Sequence, residues 1–148
     1  MRSNEPVRVT RTLPLPADTA WELLTDWEGQ ASWMRDADRV TVVSPAREGV
    51  GVRLAVRTRL FGIPAFIEPM EVTSWEPPRR LVVLHGGPLA GEGTWSLEPV
   101  TAGTRFTWTE RVRLRVPVLG VVAAWCYRPV LGWLMGRGQR DLLARVRR

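Results

Sequence analysis

The 148-residue chain contains no lysine, one histidine (His85), one cysteine (Cys126) and one tyrosine (Tyr127). A single cysteine excludes an intramolecular disulfide framework. One cysteine and one histidine cannot build a Cys/His zinc cluster, so neither a metal nor a cofactor is expected. The first six residues, Met1 to Pro6, contain no apolar run, which reads as the absence of a secretory leader and sets a cytoplasmic expectation. No Gly-x-Ser-x-Gly elbow occurs, and no serine stands in register with a histidine and an acid. Gly86 to Gly93 carries glycines at the spacing of a phosphate-binding loop, but Glu92 stands where a lysine is required, so the segment reads as a hairpin turn.

What is present describes one globular domain, residues 1–148. Hydrophobic residues make up 45% and charged residues 24%, which argues against disorder. A chain of this length buries roughly 70% of its unfolded surface and needs no covalent staple. The charge is unevenly placed. Residues 1–110 hold 12 arginines and 14 acids, a net of −2, whereas residues 111–148 hold nine arginines and only Asp141, a net of +8. The high pI therefore belongs to the last quarter of the chain. It argues against a nucleic-acid-binding face and for weak, salt-sensitive attraction to an anionic membrane surface.

Val7–Leu13 alternates as a strand and is closed by Pro14 and Pro16. Ala17, Ala20, Trp21 and Leu24 recur at helical spacing, and Asp26 to Trp33 continues as a second short helix or turn. Strand-like runs follow at 40–43, 50–60, 65–75, 80–85, 93–97 and 105–115, separated by proline and glycine turns. Their close spacing predicts antiparallel hairpins. Phe106, Trp108, Glu110, Val112 and Leu114 share one face of the last run, with Arg105, Arg111 and Arg113 on the other. Val50, Val52, Leu54, Val56 and Leu60 likewise oppose Arg53, Arg57 and Arg59. Residues 118–148 change to helical period, with Leu131, Leu134, Met135, Gly138, Leu142 and Val146 on one stripe. Pro129 is expected to kink this helix. Residues 116–135 are apolar, but Arg128, two prolines and two glycines argue against a membrane span.

This order of one strand, two short helices, six strands and a long C-terminal helix resembles the START-like (Bet v 1-like) superfamily. Within it, the chain is similar to the bacterial polyketide cyclase/dehydrase and lipid-transport family. The resemblance is carried by Leu15-Pro16-Ala17-Asp18-Thr19-Ala20-Trp21, with Trp33 after it, by Trp75-Glu76-Pro77-Pro78-Arg79-Arg80-Leu81, and by Gly93-Thr94-Trp95-Ser96-Leu97 with Gly103 to Trp108. It implies an α+β helix-grip fold, in which a curved seven-stranded antiparallel sheet grips the long helix around an apolar cavity. It also implies a hydrophobic, polyketide- or lipid-like small-molecule partner, with a cyclase/dehydratase or a membrane-surface lipid carrier as alternatives. The family's cyclases use cavity arginine and tyrosine side chains. The fourth strand here offers glutamates instead, which weighs against cyclase chemistry.

The candidate polar residues are Glu110, His85 and Glu68. Strand parity puts Glu110 beside Trp108 and Val112, where a carboxyl must be paired or protonated, and no basic partner is evident. Glu68 shares a face with Phe66 and Met70, with a solvated position near Pro69 as the alternative. His85 shares a face with Leu81 and Val83 and is the one side chain that ordinarily titrates near neutrality. The candidate apolar contacts are Phe66, Met70, Trp95, Trp108, Tyr127, Leu131 and Met135. Trp125 and Trp133 are further cavity candidates on the helix, and Cys126 is expected to be inert.

Overall fold

The computed structural model describes residues 5–60, 62–114 and 119–148, with side chains described outside 114–126. Seven strands form one antiparallel sheet: β1 (Val7–Leu13), β2 (Ala37–Val42), β3 (Arg53–Leu60), β4 (Ile63–Glu76), β5 (Arg80–Gly86), β6 (Leu89–Val100) and β7 (Gly103–Leu114). Their spatial order is β1-β7-β6-β5-β4-β3-β2, so the first strand pairs with the last. Helix α1 (Ala17–Leu24) and a 3-10 turn (Glu28–Ser32) lie between β1 and β2, and α2 (Leu119–Val146) ends the chain. This is the helix-grip arrangement, with a long helix held against a curled sheet.

Alternation decides which side of the sheet is buried. Phe106 and Trp108 on β7, Leu54 and Val56 on β3, and Trp95 and Leu97 on β6 are buried, while the intervening arginines Arg53, Arg57 and Arg105 are exposed. From α2, Leu131, Met135 and Leu142 close over this face. Gly138 lets the helix come close: a Cβ there would lie 3.0 Å from the backbone oxygen of Trp33. Gln139, wholly buried, donates from Nε2 to the main-chain carbonyls of Val9 (3.1 Å) and Phe106 (3.4 Å) and so fixes the helix to β1 and β7. The helix runs through Pro129. No helix among the described residues is long and apolar enough to cross a membrane.

Several sequence expectations need correction. Strand β3 begins at Arg53, because Gly49 and Gly51 both take positive φ and carry Val50 out on a turn, where it is 67% exposed. Strand β6 begins at Leu89, so Gly91 and Gly93 are strand residues and the hairpin turn is only Gly87-Pro88. Trp133 is 60% exposed and lies under the Arg137 guanidinium instead of facing the cavity. Trp125 and Cys126 fall outside the described side chains.

Candidate functional site

Two adjoining hollows lie between the sheet and the segments that cover it. The first is lined by Trp27, Gln30, Met34, Leu54, Met70, Leu81, Val83, Gly93 and Trp95, and the second by Met34, Asp36, Ala37, Val56, Thr58, Glu68, Met70, Leu89, Val112 and Leu131. His85, Trp108 and Glu110 line both and form the waist between them. Unfilled space is about 400 Å³ around the first and about 430 Å³ around the second, openings included. Trp33, Trp95, Trp108 and Phe106, packed mostly edge to face with centroids 5.8–6.5 Å apart, form an aromatic cluster of which Trp95 and Trp108 reach the hollows.

The waist depends on a strand stripped of side chains. His85 on β5 is paired across with Gly91, and Glu110 on β7 with Gly93. Gly91 and Gly93 share the inward face of β6 with Trp95, so nothing stands between β5 and β7 at this level. Two strand spacings, roughly 9.5 Å, are bridged by the two side chains, and His85 Nε2 comes to 3.2 Å from Glu110 Oε2. A Cβ at position 93 would lie 2.8 Å from Glu110 Oε1, so glycine is what leaves the carboxyl its space. The same oxygen accepts a 2.7 Å hydrogen bond from Trp108 Nε1. Glu110 is therefore buried and inward-facing, and the expectation that it lacks a basic partner is corrected by His85.

Glu68 is wholly buried, which overturns the solvated alternative. Its Oε1 accepts a 3.3 Å hydrogen bond from the Gly87 backbone N–H, and its Oε2 has no partner among the described residues. Burial pushes its carboxyl up to about 7, against the lowering effect of His85 and the Gly87 hydrogen bond. Asp36, in the second hollow, is pushed up to about 6 by burial and by the nearby Glu110 charge. Burial alone would lower His85, but the carboxylates of Glu110, Glu68 and Asp36 outweigh it and hold the imidazole above its ordinary value. The Tyr127 hydroxyl is buried without a partner among the described residues, and burial followed by the same three carboxylates raises it.

Of the sequence candidates, the structure brings together His85, Glu68, Glu110, Met70, Trp95, Trp108 and Leu131 around the hollows. Phe66 packs on the edge of the core, and Met135 and Tyr127 are buried, but none of the three lines either hollow. Met34, Asp36 and Thr58 were missed. Thr58 was detectable: it has the parity of Leu54 and Val56. Asp36 was not, because it precedes β2 in a loop where alternation gives no face.

These features match a known family. The family model for polyketide cyclase/dehydrase and lipid transport covers residues 6–148, and the chain belongs to that family. Solved structures with the same fold include TTHA0849 from Thermus thermophilus, 24% identical with a TM-score of 0.79 over 96% of this chain and 97% of that one. A START superfamily protein from Mycobacterium smegmatis is 16% identical, with a TM-score of 0.76 over 96% and 97%. The Zhui aromatase/cyclase from a Streptomyces species is 20% identical, with a TM-score of 0.68 over 96% and 90%. A search of curated proteins finds no match. Family membership and the apolar hollows together support the binding of a hydrophobic small molecule.

Proposed function

We propose that the protein binds a hydrophobic or aromatic small molecule, polyketide- or lipid-like, in the hollows between the sheet and the segments that cover it. The observation that carries this reading is the segregation of the lining. Trp27, Leu54, Leu81, Trp95 and Trp108 supply apolar wall, while His85, Glu110, Glu68 and Asp36 gather at the waist and second hollow. Apolar walls with a few convergent polar groups give affinity by burial and pose by hydrogen bonding. Met34 and Met70 stand in both hollows, and their unbranched thioether chains can swing aside to admit an occupant. Trp95 and Trp108 contact the occupant, and His85 and Glu110 set its orientation.

The test is a panel of flavonoids, anthraquinones and fatty acids scored by melting temperature and tryptophan fluorescence. At a hundredfold excess over Kd, a ligand that binds only the folded state adds about 2.7 kcal/mol, or roughly 5 °C or more for a domain of this size. A panel giving neither response overturns the reading.

A second reading, acid/base catalysis on such a molecule, is favoured by one observation. Glu68 and Asp36 are held at about 7 and about 6 beside the His85–Glu110 pair, and groups that titrate near neutrality can both give and take a proton. Turnover of a polyketide-like substrate by the wild type and its loss in Glu68→Gln would support this reading. Binding without turnover supports the carrier.

A further inference from the structure

We propose that the second hollow recognises a cationic nitrogen, so that the occupant is a hydrophobic amine and not a fatty acid or another anion. This names the ligand class for the binding reading above and rests on it. Three carboxyl groups, those of Asp36, Glu68 and Glu110, line that hollow. Among the described residues, His85 is its one basic side chain and no arginine lines either hollow. His85 is engaged with Glu110 at 3.2 Å, which leaves Asp36 and Glu68 in excess.

Glu68 supplies the second, independent observation. It is 0% exposed, lines the hollow, and its Oε2 has no donor among the described residues. A buried carboxyl oxygen without a donor is costly, and the side chain that carries it is held in a hollow with room for a partner. An anionic head group placed there would meet two further negative charges. An alkylammonium offers up to three N–H donors, and the neighbouring Val56, Leu89 and Leu131 accept the hydrocarbon. Among the described residues, no three acidic or histidine side chains converge closely enough to hold a metal ion. The spread of the carboxyls suits a larger, hydrogen-bonding cation.

The groups facing this point are Asp36 before β2, Glu68 on β4, His85 on β5 and Glu110 on β7, and the Tyr127 hydroxyl on α2 lies within electrostatic reach of the three carboxylates. Near neutrality Glu68 and Asp36 are partly protonated. An arriving ammonium takes over the role of the carboxyl proton, which passes to the solvent. Amine binding therefore releases protons, and binding of a neutral analogue does not.

The experiment is titration calorimetry at about pH 6.5, in two buffers of different ionisation enthalpy. The probes are 1-naphthylmethylamine, 1-naphthalenemethanol and 1-naphthoate. The amine is expected to bind about tenfold or more tightly than the alcohol, to release protons, and to leave the carboxylate weakest. Glu68→Gln should bring the amine down to the level of the alcohol, and a cooperative melting transition reports that the variant is folded. If Glu68→Gln shows no such transition, Asp36→Asn carries the same expectation. Alcohol binding with no preference for the amine, tighter naphthoate, or a preference untouched by both variants overturns the proposal and leaves the binding reading standing. No binding by any probe removes both.

Discussion

At Glu68, burial opposes ionisation more strongly than its neighbours favour it, and the sign of the result can be measured. The folded carboxyl is raised from 4.5 to about 7, so the folded state binds its proton more tightly than the unfolded state does. The stabilisation is complete below the unfolded value and is lost as pH rises through the folded one. Glu68→Gln cannot lose that proton. Its stability relative to wild type is expected to rise between about pH 4.5 and 7, by on the order of 2–3 kcal/mol. Denaturant titrations of both proteins across this range provide the check; parallel curves would refute the burial argument. His85, raised by its carboxylate neighbours, has the same sign and steepens the wild-type loss above its ordinary value. Parity along β4 and β7 was enough to turn Glu68 and Glu110 inward. Parity says nothing about Asp36, whose place depends on how the 3-10 turn delivers the chain to β2.

At the scale of elements, β6 is the part that sequence reading mistook. Two closely spaced glycines look like a turn, since glycine supplies turn conformations cheaply. Here they serve as gaps on a strand face, and only the register of β5, β6 and β7 reveals what reaches across them. The His85–Glu110 contact was therefore hidden, although each residue was legible alone. Gly93→Ala, with its new Cβ 2.8 Å from Glu110 Oε1, is expected to destabilise the fold by about 1–3 kcal/mol, as overpacking does. In a Glu110→Ala background the same substitution should cost markedly less. Equal costs in the two backgrounds of this double-mutant cycle would show that the carboxyl is not what the glycine accommodates.

For the whole molecule, charge and fold are distributed differently. The cavity is acidic, whereas the last quarter of the chain carries a net of +8, with Arg111, Arg113, Arg137, Arg140, Arg145, Arg147 and Arg148 all exposed. Exposed charges are screened over about 8–10 Å at physiological salt. Co-sedimentation with vesicles rich in anionic lipid is therefore expected at low ionic strength and lost at high, with neutral vesicles left unbound at both. Absence of binding at low salt would end the membrane-surface expectation. The architecture was legible because strand periods, proline and glycine punctuation and the change to helical period all survive in local sequence. The hollows were not, since their walls are assembled from residues as distant in the chain as Asp36 and Leu131.

The pairing of β1 with β7 has a consequence during synthesis. β1 stands at the edge of the sheet and bonds only to β7, Val7 opposite Glu110 and Leu13 opposite Thr104. Its partner is thus made about a hundred residues later, which at roughly 5–20 residues per second is about 5–20 s of translation. Throughout that interval β1 is an orphan, a ready template for another chain. Val7–Leu13 carries Arg8, Thr10, Arg11 and Thr12 among its apolar residues, and interspersed charge of this kind keeps an unpaired strand from joining its neighbours on a polysome. Replacing Arg8 and Arg11 with valine would be expected to lower the yield of soluble protein from cells far more than it lowers the stability of the finished fold.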